Sequence, residues 1–256
     1  MGKLDVHQFP YMSDNYGVLI HSSETGETAA VDAGDAGALL AALDEKSWTL
    51  SHLWITHHHG DHTAGLQEVK SKTGCTVLGP KVQSAPISGL DTLLSEGDRF
   101  EFGGCAVEVM FTPGHTTDMI NFYIPSENLV FTGDTLFALG CGRVFEGNAE
   151  MMWDSLSKFL PMPVETLIYC GHEYTLANAK FALSVDSENE MLTARAAEIE
   201  QLRSDGKPTV PSLLGVEFQT NPFLRAADPA IRKQLGMESA SDAEVFAEIR
   251  KRKDNF

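Results

Sequence analysis

The sequence is poor in cysteine and in positive charge and has no long apolar run, and each shortage removes a class of protein. Its four cysteines, Cys75, Cys105, Cys141 and Cys170, are widely separated, without the paired spacings of a disulfide framework or a thiolate metal site. Lysine and arginine number 19 against 36 acidic residues, a net charge of −17. That argues against a nucleic-acid surface, because phosphate binding is driven by cationic side chains that release counterions. No stretch approaches the roughly 20 apolar residues that span a bilayer. The opening MGKLDVHQFPYMSDNYG lacks the basic segment, apolar core and small-residue cleavage site of a secretory leader. The expectation is a cytoplasmic protein in a reducing setting, with no membrane partner.

What is present is enough apolar sequence for a substantial core: 256 residues, 43% hydrophobic, suit one large core or one core with a smaller appended unit. Residues 17–22 (GVLIHS) and 27–34 (ETAAVDAG) read as neighbouring strands, and AGALLAALDEK has helical spacing. SHLWIT predicts a strand, and HTAGLQEVKSKTG a helix that stops at Gly74. TVLG, DRFEFGGCAVEVMFTPG, MINFYIP, NLVFTGD and ETLIYCGH are strand-like, with a helix at MMWDSLSKFL. Beyond about residue 173 the pattern predicts one amphipathic helical stretch (NAKFALSVDSENEMLTARAAEIEQLRSDG), a proline-broken connection (KPTVPSLLGVEFQTNPFLR) and a last helix (SDAEVFAEIRKRK) capped by Ser241 or Asp242. The expected division is a mixed α/β domain over 1–172 and a helical domain over 173–256.

The densest chemistry lies in THHHGDH, residues 56–62. On an extended backbone side chains alternate faces, so His57 and His59 point one way and His58 the other. Asp61 and His62 then fall in the first turn of a helix, where a carboxylate is favoured by the helix dipole. His115, Asp134 and His172 each follow a predicted strand, and loops at one sheet edge converge. Five histidines and two aspartates suit two zinc-like ions with a shared oxygen ligand. A lone histidine is more often a core or surface residue than a ligand, which is how His7, His21 and His52 are read. The basic run at the C-terminus, IRKRKD, reads by itself as a solvated helix face.

THHHGDH together with TPGHT, FTGDTLF and CGHEYT resembles the metallo-β-lactamase superfamily. GCGRVFEG, GHEYTLANAKFA, PTVPS, TNPFLR and the terminal KRKDNF resemble, within it, the glyoxalase II (hydroxyacylglutathione hydrolase) family. The resemblance implies a four-layer αββα sandwich followed by a C-terminal helical domain that binds glutathione. It implies His57, His59 and His115 on one ion, Asp61, His62 and His172 on a second, and Asp134 bridging both. Zinc is the first expectation for the metal, with iron or manganese accepted by the same donors.

The activity implied is hydrolysis of the thioester S-D-lactoylglutathione to D-lactate and glutathione, the second step of methylglyoxal detoxification. A monomer is the expectation for the assembly, which the sequence leaves open. Two ions sharing a water bring its pKa towards about 7 and support hydrolysis without a nucleophilic side chain. The leaving thiolate, with a pKa of about 8.5, needs little protonation. Asp61 and Asp134 are the expected catalytic residues. By resemblance Arg143, Arg250 and Lys253 face the glycine carboxylate, and Tyr174 bonds the glutathione backbone. Phe145 stands where many relatives have tyrosine, and GHTTDM, with Asp118 and Met119, replaces the usual GHTxGH. Three rivals stay open: a single-iron persulfide dioxygenase of the same superfamily, a non-catalytic metal or glutathione binder, and a hydrolase of lactams or phosphodiesters.

Overall fold

The computed structural model describes residues 4–81 and 87–256; residues 1–3 of the stretch read above for a leader lie outside the described residues. The chain forms two compact units. The first runs to Phe111 and resumes over 118–133, and the second comprises 112–117 and 134–256.

The first unit begins with a hairpin, β1 (Asp5–Tyr11) and β2 (Asn15–His21), followed by β3 (Thr28–Val31). Helix α1 (Ala36–Lys46) returns the chain to β4 (His52–Trp54), which leads into the short α2 (Gly60–Thr63) and α3 (Leu66–Thr73). Then come β5 (Thr76–Pro80), β6 (Thr92–Leu94), β7 (Arg99–Phe102), β8 (Cys105–Phe111), β9 (Ile120–Ile124) and β10 (Leu129–Gly133). Strands β1 to β6 form a mixed sheet in sequence order, antiparallel as far as β3 and parallel from β3 to β6. Strands β7 to β10 pair antiparallel in a second sheet.

Alternation along the strands decides which face each sheet buries. Trp54 of β4 projects toward the second sheet and meets Phe102, Phe122 and Phe100 at centroid distances of 5.1, 5.2 and 5.3 Å. Its opposite-facing neighbour Leu53 joins Leu39 and Leu43 of α1 and Leu66 and Val69 of α3 in a second apolar layer. The parallel order puts the ends of β3 and β4 at one edge, so the residues that follow each strand, Asp32 and Thr56 onward, come together there.

The second unit contains the hairpin β11 (Leu136–Phe137) and β12 (Gly140–Cys141), helix α4 (Ala149–Ser157), strand β13 (Leu167–Cys170) and helices α5 (Thr175–Val185) and α6 (Glu190–Ser204). Strand β14 (Ser212–Leu213) pairs with β13 and runs into α7 (Leu214–Thr220); α8 (Pro229–Leu235) and α9 (Asp242–Asp254) follow. Helix α9 opens on Ser241 with a reciprocal Ser241–Glu244 capping box.

Three local expectations are corrected. The helix expected over 62–74 is split at Gly65, whose N–H leaves the helical ladder to bond the Ala33 carbonyl at 2.7 Å. The long helical stretch after 173 is divided at Asp186–Asn189, because Asn189 caps α6 while Asp186 pairs with Arg225. The stretch expected as a connection holds β14 and α7, fixed by the buried Glu217, which accepts from the Leu139 N–H at 2.8 Å and pairs with Arg195.

Candidate metal centre

In the first unit the turn after β4 gathers its ring systems tightly. His57 lies 4.7 Å from His59 and 4.2 Å from His62, centroid to centroid. His58 turns elsewhere, its Nδ1 2.9 Å from Oδ1 of the buried Asp118. Asp61 sits in the first turn of α2, with Oδ2 3.4 Å from His62 Nε2.

A network around Asp32 fixes the tautomers. Asp32, the residue after β3, adopts a left-handed backbone (φ 59°), a conformation that aspartate tolerates better than most non-glycine residues. Its carboxylate accepts from the Thr56 N–H at 2.8 Å, from the Thr56 hydroxyl at 2.9 Å and from His62 Nδ1–H at 2.8 Å. With its one proton given to Asp32, the Thr56 hydroxyl acts as acceptor from His57 Nδ1–H at 2.9 Å. Both imidazoles therefore carry the proton on Nδ1 and the lone pair on Nε2.

In the second unit His115 and His172 direct their Nε2 atoms at one carboxylate oxygen, Asp134 Oδ2, at 3.4 and 3.2 Å. All three side chains are buried. The Arg143 carbonyl accepts from His115 Nδ1–H at 2.8 Å, so this imidazole has the same tautomer. The chain approaches closely here: a Cβ on Gly142 would stand 2.0 Å from the Asp134 carbonyl oxygen, so only glycine fits between Cys141 and Arg143.

Of the expected substrate-side residues, Tyr174 and Phe145 set their rings against this trio. Tyr174 stacks on His172 at 4.7 Å with the ring planes 2° apart. Phe145 is 61% exposed, and its ring lies 5.2 Å from that of His115. Arg143 is exposed at the turn. Arg250 is buried: it donates to the Cys141 carbonyl at 3.0 Å and to Asp254 at 2.8 Å, and its guanidinium lies 5.1 Å from the Phe223 ring centre. Lys253 donates to the Ala177 carbonyl at 3.0 Å, with its ammonium over the Phe181 and Phe256 rings. Burial, then repulsion from Arg250 and Arg143, pushes the Lys253 pKa down to about 8. Burial also pushes the Cys141 and Cys170 thiols up, to about 11 and about 12.

Two contributors escaped the sequence reading. Asp32 stands in ETAAVDAG as an ordinary strand end, and only the parallel pairing of β3 with β4 brings it to His62. Asn15 donates from Nδ2 to Asp61 Oδ2 at 3.0 Å across 46 residues, with no local signal to find it by.

A family model described as the metallo-beta-lactamase superfamily matches residues 15–172. Among solved structures, the chain is similar to ETHE1 from Myxococcus xanthus, at 26% identity and TM-score 0.68, covering 96% of this chain and 90% of that one. It shares its fold with the BLEG-1 B3 metallo-beta-lactamase, at 22% identity and TM-score 0.65, covering 86% and 99%. Two sheets flanked by helices, with His/Asp clusters of a metal site typical of the class, define a metallo-beta-lactamase-superfamily protein. A second model, described as the hydroxyacylglutathione hydrolase C-terminus, matches residues 173–256. The hydroxyacylglutathione hydrolase of Rhizobium meliloti (strain 1021) is 54% identical over the full length of both chains, and that of Ruegeria pomeroyi 52% over 99% of each. The chain belongs to the hydroxyacylglutathione hydrolase family.

Proposed function

We propose that the protein hydrolyses S-D-lactoylglutathione to D-lactate and glutathione, with two divalent ions held by the His/Asp donors. The activity follows from family membership along the whole chain. The observation that carries the chemistry is the double role of Arg143. Its carbonyl holds His115 in the tautomer a ligand needs, while its charge bears on Lys253. Metal donors and an anion-binding cluster thus meet at one residue.

The donors fit a metal. Three imidazoles have Nδ1 engaged and Nε2 as the lone-pair nitrogen, and oxygen comes from two aspartates, a set suited to zinc and also acceptable to iron or manganese. We assign His57, His59 and His115 to one ion, Asp61, His62 and His172 to the other, and Asp134 to both. Ions held there supply Lewis acidity for the thioester carbonyl and draw the pKa of water towards about 7.

The remaining work falls to the chain. Asp61 orients the attacking water, and Asp134 holds the His115 and His172 rings in register. Arg143 and Lys253 capture the glycine carboxylate of glutathione, with Arg250 behind them holding the β11–β12 hairpin by the Cys141 carbonyl. The Tyr174 hydroxyl bonds the glutathione backbone, and Phe145 offers the acyl side an apolar wall. The thiolate leaves without an acid because its pKa is only about 8.5. Four buried free thiols support a cytoplasmic, reducing setting.

Loss of thioester absorbance on adding S-D-lactoylglutathione to zinc-loaded protein tests the reading, with elemental analysis expected to find two equivalents per chain. No turnover, together with oxygen uptake on glutathione persulfide, would establish the dioxygenase instead.

A further inference from the structure

We propose that Asn15 is the positioning residue for Asp61, and that the β1–β2 hairpin is built to hold that carboxylate at its working angle. The inference rests on the assignment of Asp61 to the second ion and the attacking water.

Asp61 cannot hold itself. Helix α2 has four residues and no side-chain cap, too short to fix a side chain through its own ladder. The carboxyl-bearing side chain is 37% exposed, so packing does not fix it either. Three points outside the helix restrain it. Asn15, first residue of β2 and only 4% exposed, donates from Nδ2 to Asp61 Oδ2 at 3.0 Å. Tyr11, last residue of β1 and the register partner of Asn15, donates its hydroxyl to the Asp61 carbonyl at 2.8 Å. Gly34 admits the Asp61 backbone so closely that a Cβ there would lie 1.8 Å from the carbonyl oxygen and 2.6 Å from the Tyr11 ring.

The choice of an amide is chemically specific. A lysine or arginine would fix the carboxylate just as well but would neutralise the charge that a cation needs. An aspartate would repel it. The amide N–H selects one orientation and leaves the negative charge in place. Hydrogen-bond partners of metal ligands typically govern affinity by about 10–100-fold.

The test is cobalt titration of metal-free protein, following the d–d absorption of each equivalent, alongside the melting temperature of the metal-free form. Asn15→Leu keeps the shape and removes the donor. The first equivalent should bind as in wild type. The second should weaken about 10–100-fold with an altered spectrum, while the metal-free melting temperature stays within a few degrees. Tyr11→Phe, which removes only a hydroxyl, should weaken the second equivalent by a smaller factor. An unchanged second equivalent in a folded Asn15→Leu protein overturns the proposal. If that variant does not fold, an unchanged second equivalent in Tyr11→Phe overturns it. A wild-type chain that takes up only one equivalent overturns the two-ion reading and this proposal with it; wild-type uptake of two, with no effect of the variants, overturns the proposal alone.

Discussion

Lys253 should make capture of the glutathione carboxylate depend on pH, in a window set by its own proton. Its ammonium lies 5.3 Å from the Phe181 ring centre and 5.5 Å from that of Phe256, with Arg250, Arg143 and Asp254 as the charges that face it. Burial and the two guanidinium groups bring its pKa from 10.5 to about 8. A bound carboxylate offsets both effects and draws the proton back. Binding is therefore at full strength below pH 8 and is lost as pH rises through that value. If the bound pKa returns to its ordinary value, KM rises about twofold at pH 8 and about tenfold at pH 9, with almost no change at pH 7. For folding the sign is opposite: the unfolded chain binds the proton up to about pH 10.5, so this group's cost is present below about 8 and fades as pH climbs between the two values. The assay is KM for S-D-lactoylglutathione across this range in wild type and Lys253→Arg. Arginine keeps its charge throughout, so the variant should show a flat ratio where wild type shows the rise. The same rise in both proteins, or a wild-type KM constant through pH 9, would refute the reasoning.

His58→Ala should retain both metal equivalents by elemental analysis, whereas His59→Ala should lose one; equal loss in both would contradict the orientation of His58 toward Asp118. Asp32→Ala removes the acceptor of the Thr56 N–H and of His62 Nδ1–H. It should weaken metal binding about 10–100-fold in competition with a chelator, and an unchanged affinity would deny Asp32 its part in fixing the tautomers. Arg250→Ala and Lys253→Ala should separate stability from binding. The first loses a buried bond to the Cys141 carbonyl, at about 1–3 kcal/mol, and a half-exposed pair with Asp254, and should lower the melting temperature as well as raise KM. The second should raise KM with little change in kcat or melting temperature.

The strands and helices around the THHHGDH turn were readable because local periodicity and caps carried them: AGALLAALDEK is α1 residue for residue, and Gly74 ends α3 in the left-handed region. What was not readable depended on distant partners. Asp32 reaches His62 through parallel pairing of β3 and β4, and Asn15 reaches Asp61 across 46 positions, which the turn-forming Ser13-Asp14-Asn15 run marks as a bend without naming its partner. The division of the C-terminal helices turned on Glu217 and Asp186, acidic residues whose partners Arg195 and Arg225 lie 22 and 39 positions away. The basic run IRKRKD has both characters at once. Lys251 and Arg252 are exposed beside Glu248, as a solvated face requires, while Arg250 is buried and Lys253 partly so, one helical turn apart.

The hydrogen bonds behind the candidate metal donors suit histidine. An imidazole serves as a ligand only when its proton is confined to the other nitrogen, and each unit supplies that restraint from its own residues. In the first, Asp32 takes the His62 proton directly and turns the Thr56 hydroxyl into an acceptor for His57. In the second, a backbone carbonyl does the same for His115, and a mutation cannot remove a carbonyl. His57 and His62 therefore depend on a side chain that can be lost, and His115 on the path of the chain past Gly142. It follows that in imidazole nitrogen NMR spectra of the metal-free protein Asp32→Ala should shift the His57 and His62 signals and leave that of His115 in place, whereas Gly142→Ala, whose Cβ would press on the Asp134 carbonyl at 2.0 Å and on His115 Nδ1 at 3.1 Å, should do the reverse; a His115 shift in the first variant would contradict the separation.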